Sequence, residues 1–267
     1  MSTEPPQDPS AQEGLGGPSV QSQSQARASL EASLELLWEG HTPSGKGPRP
    51  TLSLEQIVAM AVEIADADGV EGLSMRRLAR QLDVGTMTLY RYVPEKSVLL
   101  DLMLDAVSAP SEGKRAGARR SWRDTLWSAA EEARALHLRH PWLLQVNWAR
   151  PVIGPNSVDG LELVMAGLGA LSLTDQERIV VLSIVDAYVL GSVRQQIFYE
   201  SAAEETGLGE EEFWEAQLPF MERAMDSGRY PVMAAMAEDT FDAGWDETFE
   251  AGLRLLLDGL EADLTRR

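Results

Sequence analysis

From Thr51 onward apolar residues return at helical spacing, and no stretch sustains the two-residue alternation of a strand. The pattern therefore predicts an all-α chain. Leu54, Ile57, Val58, Ala61 and Ile64 form one stripe, opened by a capping box of Ser53 and Gln56 and closed between Gly69 and Gly72. Ser74 is placed to cap a second helix, about Met75 to Leu82, with Leu73 and Leu78 as its hydrophobic staple and Leu78, Ala79 and Leu82 inward. Asp83-Val84-Gly85 reads as a turn, and Thr86 as the cap of a third short helix ending near Tyr92. Pro94 suits the first turn of a fourth, 94–107, which carries Leu99, Leu100, Met103 and Val107.

After a Gly/Ser/basic connector at 110–120, Ser121 and Asp124 open a helix that runs to about His140 and stops at Pro141. Another starts at Ser157 and runs to Leu171. Thr174 and Glu177 box a long one, to about Glu200, and further helices read at about 210–226, 231–241 and 246–264. The long helix carries Ile179, Val180, Leu182, Val185, Val189, Leu190 and Val193, more than one face's worth. Such a helix must be covered on several sides, by a second copy or by the rest of its own domain. Upstream, residues 1 to about 28 are rich in Pro, Gly, Ser and Gln and read as disordered, with a short amphipathic helix near Leu30, Leu34 and Leu37. The expected organisation is a tail with that short helix (1–41), a linker or basic arm (42–50), a small helical unit (51–110) and a larger helical domain (111–267).

Charge follows the same boundaries. The 267 residues carry 42 acidic and 23 basic groups, net −19, but residues 42–110 hold 7 basic and 9 acidic groups and are almost neutral. The tail and the larger domain are strongly acidic. A uniformly basic nucleic-acid binder is excluded; if the chain binds DNA, the small unit does so. With no cysteine there is no disulfide framework, thiolate metal site or cysteine nucleophile. Neither a signal peptide nor an apolar run long enough to span a bilayer is present, so the expected setting is cytoplasmic, with no membrane partner.

The informative stretch is LSMRRLARQLDVGTMTLYRYVPEKSVLL, residues 73–100. Two short helices joined by three residues, with small Ala79 at the crossing, have the geometry of a helix-turn-helix, whose second helix lies in the DNA major groove. Thr86 and Thr88 offer hydroxyl and methyl groups to base edges or phosphates, Met87 suits a thymine methyl, and Tyr90, Arg91, Tyr92 and Lys96 suit phosphate oxygens. The same spacing also fits three helices of an ordinary bundle with a solvated polar face.

The run IADADGVEGLSMRRLARQLDVGTMTLYRYVPEKSVLL resembles the DNA-binding domain of the TetR family of transcriptional regulators. A weaker similarity continues through SWRDTL, RHPWLL, RPVIGPN and DAYVLGSV into that family's ligand-binding domain. The resemblance implies a three-helix helix-turn-helix domain followed by a larger helical ligand-binding and dimerisation domain. It implies a homodimeric repressor on a palindromic operator in double-stranded DNA, released by a small-molecule effector; the residues themselves show no catalytic constellation, and no metal or cofactor is expected. Thr86, Met87, Thr88 and Tyr90 match positions that contact bases or phosphates, Met75 and Arg76 positions near the DNA backbone or an outer base, and Lys96 a phosphate-binding lysine. Dimerisation would use helices near 175–200 and 246–264. The positions where the tetracycline repressor holds magnesium with a His and a Glu look like Val146 or Asn147 and Gln195, so its drug site does not carry over.

Weaker signals surround this one. Lys46 and Arg49 lie among Gly and Pro just before the first helix and suit either a plain linker or an arm touching DNA. Gly40 to Lys46 fails as a P-loop because Gly47 stands where Ser or Thr would hold magnesium. His137 and His140 share a helix face but lack further zinc ligands in the pattern. Glu238, Asp239 and Asp242 suit a solvated acidic face better than a prenyl-transfer site. Trp122, Trp127, Trp142 and Trp148, with Met165, Tyr188 and Phe198, make either an aromatic-lined cavity or simply a core. Trp127, Trp148, Met165, Tyr188 and Gln195 are the candidate pocket residues.

Overall fold

A computed structural model describes residues 20–41, 52–110, 121–146, 151–237 and 239–266. All regular structure among them is helical: α1 (Val20–Glu39), α2 (Leu54–Gly72), α3 (Met75–Gln81), α4 (Thr86–Tyr90), α5 (Lys96–Val107), α6 (Trp122–Arg139), a 3-10 turn (Pro141–Gln145), α7 (Pro155–Leu168), α8 (Asp175–Thr206), α9 (Glu210–Asp226), α10 (Pro231–Ala234) and α11 (Trp245–Arg266). The expected caps at Ser53, Ser74, Ser121 and Thr174 each accept the predicted backbone N–H.

Several starts and stops differ from the sequence expectation, among them α5, which begins at Lys96 with Glu95 as its N-cap rather than at Pro94, and α8, which runs on to Thr206. α1 is a full helix from Val20, so residues 20–28, expected to be disordered, are helical. Its polar first half gave no signal; its second half is held by packing on α5, with Ala32, Leu36 and Leu37 against the first core. The N-cap of α4 is Gly85, with Thr86 its first helical residue. Helix α7 starts at Pro155 rather than Ser157, because its cap groups are met from another helix. Only Pro231–Ala234 of the expected 231–241 helix forms; no residue of α10 is buried, and a short helix without tertiary cover is not stable.

Two apolar cores hold the chain. The first gathers Ile57, Ala61 and Ile64 of α2, Leu78 and Ala79 of α3, Leu89 of α4, and Val98, Leu99 and Met103 of α5, and it takes in Trp142 and Leu143 from the 3-10 turn after α6. The second joins Leu126 and Ala130 of α6, Leu168 of α7, Val185, Val189 and Val193 of α8, and Phe249, Leu253 and Leu257 of α11. Removing these side chains from water is the main favourable term for both.

Two carboxylates couple the units. Asp105 of α5 is buried, and its oxygens accept from the backbone N–H and side-chain amide of Asn156 at 3.3 and 3.1 Å and from the N–H and hydroxyl of Ser157 at 3.0 and 2.9 Å. An anion at that helix N-terminus satisfies donors the helix cannot pair itself. Asp66 of α2 accepts from His140 Nδ1 and Trp142 Nε1, both at 2.7 Å. A break at Asp68–Gly69, where Gly69 takes φ 71°, ends the regular part of α2. Asp68 pairs there with Arg77 of α3.

Asp105→Ala is expected to lower stability by about 2–4 kcal/mol, because it strands buried donors at the start of α7. Denaturant unfolding checks this. Burial pushes the Asp101 carboxyl above its ordinary value, and the Ser33 hydroxyl offsets part of the rise. A raised acid favours the fold below its ordinary pKa and loses that contribution as pH rises through the raised value. Asp101→Asn keeps an oxygen for Ser33 and removes the charge. Its melting temperature should exceed the parent's at about pH 7, with the gain shrinking toward about pH 4.

Candidate nucleic-acid interface

The α3–α4 pair is set by local bonds. Val84 N–H donates to the Ala79 carbonyl at 2.9 Å and Leu82 N–H to that of Leu78 at 3.0 Å, folding the chain back after α3. Asp83 takes φ 53°, a left-handed conformation that Asp tolerates better than most side chains. Thr88 N–H then bonds the Gly85 carbonyl at 2.8 Å and starts α4. Five residues cannot hold a helix alone. Leu89, fully buried, anchors α4 to the first core, and Val93 repeats the anchor just beyond its end.

This anchoring decides what faces outward. Met87 is 77% exposed and Tyr90 41% exposed, with Arg91 exposed beside them. Thr86 and Thr88 are half-buried at the edge of the same surface. Arg76 is exposed on α3, and Arg80, one turn further on, shares its face. Sequence reasoning passed over Arg80, although its i+4 spacing from Arg76 was a readable signal. The arrangement gives a small outward face with an apolar side chain, hydroxyls, a phenol and three guanidinium groups, suited to base edges and phosphate oxygens.

Three other residues singled out in the sequence are turned inward. Met75 is buried in the first core. The Tyr92 hydroxyl donates to the Leu52 carbonyl at 3.0 Å, and its ring lies 4.4 Å from that of His41. Lys96 donates from Nζ to the Val70 carbonyl at 2.9 Å, at the C-terminal end of α2, where a cation is favoured. These groups brace the platform that carries α4. Lys46 and Arg49 lie outside the described residues.

In the second unit Tyr188 is a brace: its hydroxyl donates to the carbonyls of Phe249 and Thr248 at 2.8 and 3.2 Å, and its ring stacks on Phe249. Burial raises its pKa, against the pull of Arg134. Trp127 Nε1 donates to Glu131 at 3.0 Å, and Met165 packs on the second core. Gln195 is exposed, whereas its neighbour Gln196 accepts from Arg134 at 3.0 Å. Arg134 also pairs with Asp246 at 2.7 Å and lies over the Phe249 ring. Asp186 faces His137 across α6 and α8, its pKa raised by burial and lowered in part by that imidazole. Periodicity did not single out Arg134, Gln196 or Asp186, because each draws its meaning from a partner distant in sequence. Trp148 lies outside the described residues. His137 bonds the Ala133 carbonyl and His140 bonds Asp66, and among the described residues no group of three carboxylates or imidazoles converges on a metal position.

Comparison with known proteins places these units. Residues 116–264 match the family model described as tetracyclin repressor-like, C-terminal domain. The HTH-type transcriptional repressor DrrR1 of Streptomyces coeruleorubidus is 50% identical over 89% of this chain and 88% of its own length. An HTH-type transcriptional regulator of Saccharopolyspora erythraea is 33% identical over 80% of this chain and 86% of its own. The structure of the Streptomyces coelicolor TetR family protein ActR in complex with actinorhodin aligns with a TM-score of 0.62 and 27% identity, covering 80% of this chain and 99% of that one.

Tyr92→Phe should lower stability by about 1 kcal/mol through loss of the bond to Leu52, without loss of helix content. Thermal melting followed by circular dichroism reads both.

Proposed function

The chain belongs to the tetracycline-repressor-like family of helix-turn-helix transcriptional regulators, and on that premise we propose that it is a homodimeric repressor that reads a palindromic operator with α4 and is released by a small-molecule effector held in its second unit. The observation that carries the reading is the outward face of α4. Leu89 is fully buried, while Met87, Tyr90 and Arg91 stand in solvent beside Thr86 and Thr88. Specificity falls to Thr86, Met87, Thr88 and Tyr90, with Arg91, Arg76 and Arg80 on phosphates. Lys96, Tyr92 and Met75 act from behind, by holding the platform. The acidic second unit disfavours any approach to DNA other than through the α3–α4 end.

Dimerisation is supported by the faces of α8 and α11 turned away from the second core. On α8, Val180, Ile184, Ala187, Gly191 and Phe198 recur at spacings of three, four and seven and are exposed. On α11, Leu255 is 69% exposed, and Gly259 and Ala262 follow it at the same spacing. Apolar stripes with small residues midway let two helices from each copy approach closely as a four-helix bundle. Two copies related by a two-fold axis place two α4 helices on successive half-sites.

For the effector, ActR is solved with actinorhodin and with (S)-DNPA, and we take a polycyclic aromatic compound as the class for this chain. Trp127 and Met165 offer apolar surface beside the polar set of Arg134, Gln196, His137 and Asp186, which suits a flat molecule carrying hydroxyl or carboxyl groups. The ligand needs to favour the non-binding arrangement by about 1–3 kcal/mol to release DNA effectively. A cytoplasmic setting follows from the same reading.

A gel shift with the DNA flanking the chain's own gene tests the core of this. Tyr90→Ala and Arg91→Ala should each weaken the complex about 10- to 100-fold while leaving folding and dimer intact. Arg91→Ala should also reduce the salt slope of log K by about one. Normal shifts from both variants would remove α4 from the interface.

A further inference from the structure

Helix α1 precedes the DNA-reading unit and lies outside the matched family segment, yet it touches three separate parts of the molecule. Ser33, fully buried, donates from Oγ to Asp101 Oδ2 on α5 at 2.6 Å. Trp38 Nε1 donates at 3.1 Å to the carbonyl of Ile153, immediately before Gly154, the N-cap of α7. Beyond the helix end, the His41 ring stands 4.4 Å from Tyr92, the second residue after α4.

The bond from Trp38 is informative because burial does not explain it. The indole is 54% exposed and Ile153 is 53% exposed. A tryptophan recruited for apolar contact would be covered; this one is held at the surface by its N–H on the chain that enters α7. Five residues earlier, in the same C-terminal half of the helix, the hydroxyl of buried Ser33 makes a short, directional bond to the half-buried Asp101 carboxylate. Asp101 lies one turn before Asp105, the residue that caps α7. Thus α1 spans the junction that Asp105 forms, from its α5 side to its α7 side. A cleft of about 260 Å³ between α1 and the end of α4 is lined by Glu35, Glu39, His41, Arg91 and Tyr92, so the acidic edge of α1 stands beside the DNA-reading element.

We propose that α1 is a strap across the α5–α7 junction, with Ser33 and Trp38 as positioning residues that fix the orientation of α4 for DNA. The strap rests on the DNA-binding reading only for its consequence; its mechanical part stands on the contacts alone. A helix tied at both ends of a junction restricts rotation about it and narrows the set of α4 orientations, which raises affinity by reducing the ordering required on binding.

Amide hydrogen exchange on the full chain compares the parent with Ser33→Ala, Trp38→Phe and the double variant, each first shown to keep the parent's helix content. In the double variant exchange should quicken about threefold or more at residues 156–158 and 88–93, remote from the substitutions. Affinity for the DNA fragment that the parent shifts should fall about three- to tenfold. Quickening confined to α1, or unchanged affinity in the double variant while the parent binds DNA, overturns the proposal. A failure of the DNA-binding reading is distinct: the parent itself would shift no DNA, and the exchange at 156–158 and 88–93 would still decide the strap.

Discussion

Helix α5 is buried on more sides than any surface helix requires, and the rest of the arrangement depends on that burial. Val98, Leu99, Leu102 and Met103 fill the core that Leu89 of α4 anchors into. Asp101 receives Ser33 of α1, and Asp105, one turn on, receives the first turn of α7. A helix with an apolar face and two carboxylates on its remaining surface usually leaves those carboxylates in water. Here Asp105 is buried and Asp101 half-buried, and each is met by hydrogen bonding from a different helix. Burying a carboxylate is unfavourable unless its oxygens are met. Asp105 meets that condition fully, through backbone and side-chain donors. Asp101 meets it only in part, which is why its pKa rises. The orientation of α4 relative to the second unit is therefore set by apolar packing on one face of α5 and by carboxylate bonds at Asp101 and Asp105, one turn apart, on another.

The parts of this legible in the sequence are those whose causes lie within a few residues. Ser74 caps α3 because its hydroxyl reaches the N–H three residues on, and Asp83 and Gly85 turn the chain because their backbones tolerate it. Leu78 and Leu89 point inward because the stripe leaves them no other face. The outward set of Met87, Tyr90 and Arg91 follows by subtraction. What periodicity missed has partners 50 to 115 residues away: Asp105 with Ser157, Asp66 with Trp142, Trp38 with Ile153. Polar residues at such positions look like ordinary solvated groups until the fold brings a donor to them. Lys96 and Tyr92 show the same limit from the other side. Both are polar and follow the recognition segment closely, so a one-dimensional reading sends them to phosphate. In the structure each also donates to a backbone carbonyl, Lys96 to Val70 and Tyr92 to Leu52, bonds that the one-dimensional reading does not show. Gln195 against Gln196 is finer still, since one residue along a helix turns the side chain by about 100°.

Electrostatics divides the molecule in a way that matches its mechanics. The nearly neutral stretch 42–110 carries its exposed arginines at α3 and α4, while the acidic excess lies in the tail and beyond residue 110. Long-range repulsion falls off over about a Debye length, roughly 8–10 Å at moderate salt. It therefore steers approach without weighing much on contacts already made. The acidic edge of α1 is the exception, because Glu35 and Glu39 line a cleft with Arg91 itself. On the reading proposed for Arg91, carboxylates lining that cleft would compete with a phosphate for its guanidinium. Removing α1 would therefore have two opposed effects on affinity, looser orientation and a freer arginine, whereas Ser33→Ala and Trp38→Phe leave the acidic groups in place and isolate the first.

The two inter-unit carboxylates also constrain how an effector can act. Asp66 ties α2 to the His140–Trp142 segment that ends α6, and Asp105 ties α5 to the start of α7. A ligand seated among α6, α7 and α8 shifts those helices only slightly without breaking one of the ties. Breaking the bonds of the buried Asp105 costs several kcal/mol, more than the 1–3 kcal/mol that effector coupling typically supplies, whereas the more exposed Asp66 bonds are weaker ties. The economical response is for the Asp105 tie to persist and for α5 to follow α7, carrying α2 with it through their shared core. Because α4 is anchored to that pair through Leu89 and Val93 and makes no independent connection to the second unit through a described hydrogen bond, it moves with them. In the dimer proposed above, a small displacement at α6 and α7 would then change the spacing of the two α4 helices, with no local unfolding of the helix-turn-helix required.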